Sequence, residues 1–363
     1  NRPDETNRGR EPAGCGTVAS SPSGAPSSTR GWPSLLAAYL IACVTGLALM
    51  ARSSAALVVG SSTLASRLGL PTLVVGVAII GFGTSAPELL VSGLAAESGS
   101  AAIGVGAVIG SNIANLSLVL GVAALVTPIT VHADVVRKEA PLALLASVAF
   151  VLALQNGLTR LDGLLLLLWL AGSLTLLVRW ALQAHPRTGD GSRDDGAQNL
   201  QDDVTELLST NAAQPLPRVS FQALAGLVGT LLGAETLVWG TVGVAHAAAL
   251  PEGFIGATIV AIGTSLPELV TGAQAARHGE VDLIVGNLLG SNLFNALAVG
   301  GVVAVIGGRT AVGPGLRLIG AAVMLAVSAL AVLFMRRRLQ VTRWEAAVLV
   351  AVYVATLPFL ALS

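Results

Sequence analysis

Two stretches decide the fold: Gly81-Phe82-Gly83-Thr84-Ser85-Ala86-Pro87-Glu88, and Ala261-Ile262-Gly263-Thr264-Ser265-Leu266-Pro267-Glu268. Each places a glutamate and a proline inside an apolar run long enough to cross a bilayer. A carboxylate at the centre of a membrane helix costs roughly 2.5–3.5 kcal/mol or more, so it marks a pathway or a site. Proline has no N–H, so the carbonyl four residues earlier (Gly83, Gly263) loses its helical partner. The pairing Thr84/Thr264 gives an offset of 264 − 84 = 180, and Gly60/Gly240, Pro71/Pro251, Glu88/Glu268, Ser111/Ser291 and Asn115/Asn295 keep it. One register over that length means a duplicated half.

The chain has 53% hydrophobic and 11% charged residues, against about 25% charged in a soluble domain. The mean hydropathy of +0.78 agrees with a polytopic membrane protein. Zero formal net charge offers no field for nucleic acid. Cys15 and Cys43 make neither a disulfide framework nor a metal site, and the four histidines show no ligand spacing. His132, His246 and His278 fall near predicted helix ends, an ordinary boundary role.

Residues 1–33 are rich in Gly, Pro, Ser and Arg and read as a disordered tail without the apolar core of a signal peptide. Ten apolar segments follow, at about 34–66, 71–96, 102–127, 138–156, 161–181, 218–248, 252–277, 281–306, 315–335 and 342–361. The expected fold is all-α, with about ten transmembrane helices in two five-helix repeats, 34–181 and 218–361. An odd number of spans per repeat makes the second copy inverted in the membrane. The first helix of each repeat is long, and is expected to be tilted or broken near Gly60 and Gly240. The third carries glycines (Gly104, Gly106 and Gly110; Gly286 and Gly290) that let backbones approach closely.

The acidic loop 182–217 reads as a solvated linker. An EF-hand fails, since Asp195 stands where the glycine belongs and Gln201 where the last glutamate belongs. Arg67, Arg137, Lys138, Arg179, Arg187, Arg193, Arg218, Arg277, Arg336, Arg337, Arg338 and Arg343 fall on one side of the ten-segment order, and only Arg160, Arg309 and Arg317 occupy the short loops of the other. The positive-inside rule puts the first group and the linker in the cytoplasm, with both termini outside.

Thr84 and Ser85 share a helix face with Glu88 at i, i+4 and i, i+3, and Thr264 and Ser265 do so with Glu268. A companion motif, Gly110-Ser111-Asn112-Ile113-Ala114-Asn115, recurs as Gly290-Ser291-Asn292-Leu293-Phe294-Asn295. In each, serine and asparagine are i, i+4 and present oxygens to one point. Taken alone, a membrane proline is often a kink and a Gly-Ser-Asn run often helix packing. Together and twice in register, they predict a cation site. The set is all hard oxygen, which suits Ca²⁺ with its six to eight oxygen ligands and argues against zinc, copper or iron. Two glutamates balance one divalent ion. When it leaves, the facing carboxylates need Na⁺ or H⁺, which is an exchange logic. Glu235, whose repeat partner is Ala55, reads as an accessory cation ligand, a proton acceptor or a partner of Arg52.

These two motifs resemble the paired α-repeats of the sodium/calcium exchangers, within the cation/Ca²⁺ antiporter superfamily, over about 33–361. The resemblance implies a plasma-membrane antiporter, not an enzyme, with no cofactor and with Ca²⁺ and Na⁺ as cargo. Glu88 and Glu268 would be the central ligands, and the Thr84 and Thr264 carbonyls would complete the Ca²⁺ site. Ser85, Ser265, Ser111, Ser291, Asn115 and Asn295 would line adjoining Na⁺ positions. The two long first helices would slide to alternate access. Two residues depart from the pattern. Ala107 replaces the asparagine found at Asn287, and Asn295 replaces the aspartate of potassium-dependent relatives, which disfavours K⁺ cotransport. A Ca²⁺/H⁺ exchanger on the same glutamates is the alternative. A channel fits the broken-helix pattern less well, and an intramembrane hydrolase lacks a nucleophile motif.

Overall fold

A computed structural model describes residues 32–67, 85–183, 214–310 and 312–361, except 267, 270, 271, 274, 275 and 277–280. The predicted tail, most of the acidic linker, Thr84 and the first part of the second apolar segment lie outside these. The described chain is almost entirely helical. Helices α1 (Trp32–Arg67), α2 (Ala86–Glu97), α3 (Ala101–Val126), α4 (135–154) and α5 (Arg160–Gln183) form the first half. Helices α6 (Leu216–Ala248), α7 (Glu252–Thr264), α8 (281–307), α9 (Leu316–Arg338) and α10 (Arg343–Ala361) form the second, with further helical backbone between 266 and 276. Seven of these helices are long and apolar enough to cross a membrane: α1, α3, α5, α6, α8, α9 and α10.

Two short pairings tie the halves together. Strand β1 (Ile129–Thr130) pairs antiparallel with β2 (Gln340–Val341) at one end of the molecule. Leu158 bridges Thr310 at the other. Turn chemistry sets the same helix start in both halves. Asp162 accepts hydrogen bonds from the Thr159 N–H (2.9 Å) and hydroxyl (2.6 Å) ahead of α5. Glu345 does the same for Thr342 (2.9 and 2.8 Å) ahead of α10, the reciprocal arrangement of a capping box.

The core lies along α3 and α8. Within their spans 83% and 78% of residues are buried, against 17% for α5, so α3 and α8 are central and α5 faces outward. The core packs Ile109, Ile113, Leu116 and Leu120 against Leu289, Leu293 and Leu297, with Phe150 and Met324 from flanking helices.

The long helices α1 and α6 pair antiparallel. A Cβ on Gly60 would fall 2.6 Å from the Ala223 nitrogen, and one on Gly240 would fall 2.8 Å from the Tyr39 oxygen. Gly46 and Gly226, another pair at the 180 offset, meet the backbones of Leu237 and Leu57 in the same way. Of the expected tilt or break at Gly60 and Gly240, the break is corrected. Both helices are continuous through these positions, and these glycines serve helix contact because a missing Cβ lets two backbones touch.

The glycines of the third segments divide. Gly106 and Gly110 of α3 lie against the α7 backbone at Gly253 and Ala257, but a Cβ on Gly290 of α8 would meet nothing within 4 Å. At Gly286 the nearest atom is Glu139 Oε2, at 3.8 Å. The stretch that repeats α7, residues 72–84, lies outside the described residues.

Candidate functional site

In both repeated motifs the serine stands outside helical geometry, just ahead of the glutamate's helical turn. Ser85 has φ −92° and ψ 3°, and Ser265 has φ −87° and ψ 3°. This is the sparsely populated bridge region. Pro87 occupies the first turn of a helix, where no N–H is needed. Leu89 donates to the Ser85 carbonyl at 3.1 Å and Leu269 to the Ser265 carbonyl at 3.0 Å, so the backbone after each serine is bonded alike. Glu88 thus lies in the first turn of α2, where the helix dipole favours an anion.

Glu88 and Glu268 are each 2% exposed. Glu88 lies within electrostatic reach of Glu268 and interacts with the Thr264 side chain. The Thr264 hydroxyl donates to the Val260 carbonyl at 3.0 Å.

The second motif makes the crossing point of α3 and α8. Asn292 Nδ2 donates to the Asn112 carbonyl at 3.0 Å, and Asn112 Nδ2 returns a bond to the Asn292 carbonyl at 3.4 Å. Asn115 Nδ2 donates to Asn292 Oδ1 at 3.0 Å. Asn295 Nδ2 donates to Ser111 Oγ at 3.0 Å, and that hydroxyl donates to the Ala107 carbonyl at 2.7 Å. Asn115 and Asn295 each open a π-turn, Asn115–Val119 and Asn295–Val299. Such widened turns recur at functional sites.

The amide nitrogens are thus used up while oxygens stay free. Glu88 Oε2, the Oγ atoms of Ser85, Ser265 and Ser291, and Oδ1 of Asn112, Asn115 and Asn295 are buried without a hydrogen-bond partner. Leaving one buried polar group unsatisfied costs about 1–3 kcal/mol. Seven such oxygens on the two repeated motifs are a donor set suited to hard cations.

Of the residues expected at the site, Glu88, Ser85, Ser111 and Asn115 come from the first half and Glu268, Thr264, Ser265, Ser291 and Asn295 from the second; all nine are buried. Thr84 lies outside the described residues. Sequence reasoning passed over Asn112 and Asn292 as functional residues, although both stand inside the repeated motif at the 180 offset. The pairing of Glu235 with Arg52 is corrected. Glu235 is exposed on the outer face of α6 and makes no ion pair with Arg52, which is exposed too. Gly233, Ala234 and Leu237 occupy the inward face instead. Glu235→Gln is expected to leave ion flux within about twofold of wild type, since surface changes rarely exceed ±0.5 kcal/mol. A ⁴⁵Ca²⁺ flux assay checks it.

The family model for sodium/calcium exchanger protein matches residues 38–179 and again 220–362. The chain belongs to the sodium/calcium exchanger family. It is 38% identical over 274 residues to inner membrane protein YrbG of Escherichia coli, 75% of this chain and 80% of that one. It is 29% identical over 337 residues to sodium/calcium exchanger MaX1 of Methanosarcina acetivorans, 86% and 95% of the two chains. A solved structure of the sodium-calcium exchanger NCX_Mj, soaked with Na⁺ and Sr²⁺, superposes with a TM-score of 0.58 and 27% identity. That match covers 89% of this chain and 98% of the other. Membership places the chain among the multi-pass membrane transporters that carry out cation/Ca²⁺ antiport.

Proposed function

We propose that this chain exchanges Ca²⁺ for Na⁺ through one midplane site built on Glu88 and Glu268. The observation that carries the reading is the set of buried oxygens without partners, drawn from both halves, around two neighbouring carboxylates. Thr264, Ser85, Ser265, Ser111, Ser291, Asn115 and Asn295 complete the oxygen shell, and Thr84 joins it by its register with Thr264. Ten transmembrane helices in two inverted halves carry the site, with both termini outside and the acidic linker in the cytoplasm. Ca²⁺ leaves the cytoplasm as Na⁺ enters. A site loaded with either cargo is neutral enough to switch sides, while the empty, doubly charged site is not. Asn295, an amide where potassium-dependent relatives carry aspartate, makes the site less negative and favours operation without K⁺.

The test is ⁴⁵Ca²⁺ uptake into proteoliposomes loaded with Na⁺ and diluted into buffer free of Na⁺ and K⁺ at fixed pH. Uptake that vanishes when choline replaces internal Na⁺ is the expected result. Uptake indifferent to Na⁺ but driven by an acidic interior would overturn Na⁺ coupling and move the same glutamates to proton exchange.

A further inference from the structure

The three arginines of the sparsely charged end come together. Arg160 opens α5, Arg309 follows α8, and Arg317 lies in the first turn of α9. A cavity of about 180 Å³ is lined by Asn156, Gly157, Arg309, Thr310, Val312 and Arg317. Arg160 closes in from the side, its Nε 3.8 Å from where a Gly308 Cβ would stand.

The pocket is built rather than loose. Thr310 donates its N–H to the Leu158 carbonyl at 2.9 Å, clamping the two loops. Arg317 Nη1 donates to the Gln155 carbonyl at 3.3 Å, and Gln155 Nε2 donates back to the Arg317 carbonyl at 3.4 Å. These contacts fix the Arg317 guanidinium, yet its buried Nε has no partner. Gly157 turns the chain there with φ +79°, a conformation that suits glycine.

Among the described residues no carboxylate lies within ion-pair distance of the three arginines. The nearest in sequence, Asp162, is engaged by Thr159. Converging like charges with free guanidinium donors favour a bound oxyanion, which arginine takes in a forked geometry. The cavity is several times the ~30 Å³ that a water occupies in the liquid. The first turns of the helices that carry Arg160 and Arg317 expose apolar side chains. Leu161 is 65% exposed, Leu164 57% and Leu318 55%.

We propose that this pocket binds a phosphate-type oxyanion, and that the headgroup of an anionic phospholipid supplies it. The arginines, Asn156 and Thr310 take the phosphate, and Leu161, Leu164 and Leu318 lie under the acyl chains. The assignment is independent of which cation drives exchange.

The test uses the purified full chain in detergent and native mass spectrometry with phosphatidylglycerol or phosphatidylcholine. A parallel arm measures thermal unfolding with inorganic phosphate. Wild type should retain phosphatidylglycerol at least about fivefold over phosphatidylcholine, the selectivity that charge-assisted forks provide. Arg309→Gln with Arg317→Gln should lose that preference, and the distant Arg337→Gln should keep it. Arg309→Gln alone guards against misfolding, since Arg309 makes no hydrogen bond to the described residues; it should weaken retention at unchanged unfolding temperature. Arginine-dependent stabilisation by inorganic phosphate without lipid retention would keep the oxyanion site and overturn the lipid. Equal retention in wild type and both arginine variants, with no arginine-dependent phosphate effect, would overturn the site.

Discussion

Glu88→Gln and Glu268→Gln are each expected to abolish Ca²⁺ flux while leaving a folded protein. Glutamine keeps the shape and one carbonyl oxygen but removes the charge that balances half of a divalent ion. Both side chains are buried at 2% exposure, where water cannot replace the lost ligand. Removing one partner of a buried charge pair costs about 3–5 kcal/mol, roughly a 100- to 4000-fold loss at 1.4 kcal/mol per decade. The unfolding temperature without ions should be kept, because two neighbouring carboxylates give no stability when no cation lies between them. Ca²⁺ should raise the unfolding temperature of wild type and leave that of both variants unchanged. Proteoliposome flux and a Ca²⁺ thermal titration read both outcomes. Near-normal flux in both variants would remove these glutamates from the site.

Gly110→Ala is expected to lower stability and stop transport, while its repeat mate Gly290→Ala does neither to stability nor to folding. A Cβ on Gly110 would stand 2.7 Å from the Ala257 Cα and carbonyl carbon. Those are backbone atoms of α7, so no rotamer change relieves the clash and the helices must separate. Overpacking of this kind costs about 1–3 kcal/mol. Separation also carries Thr264 and Ser265 away from Asn115, and Ca²⁺ ligands must hold about 2.3–2.6 Å. At Gly290 nothing stands within 4 Å, and alanine is the better helix former by up to about 1 kcal/mol. Thermal unfolding followed by tryptophan fluorescence separates the two variants. Equal destabilisation by both would contradict the close approach of α3 and α7.

Much of the molecule was legible in the chain. The duplicated register located Glu88 and Glu268, and their burial follows from a carboxylate inside an apolar run. The positions of α3, α5, α6, α9 and α10 follow from segment length and hydropathy, because a bilayer demands continuous apolar helices. Helix faces were not legible. A segment apolar all round has no periodicity to show which side turns inward, so Glu235 read as a possible ligand although it points outward. The role of Gly60 and Gly240 was missed for a similar reason, since sequence shows that a glycine is present but not what approaches it.

The sequence by itself determined the membrane class, the repeated motif and the family, because each rests on residue type and spacing along one chain. Only the tertiary structure decided that α7 ends at Ser265 and that α2 begins just after Ser85, with Pro87 in its first turn. It also decided that Asn112 and Asn292 clamp α3 to α8, and that Arg309 and Arg317 line one pocket with Asn156 and Gly157 of a distant loop. These depend on how α3 crosses α8 and how the loop after α4 meets the loop after α8. Such contacts join residues about 150 to 180 positions apart, and no local propensity encodes them.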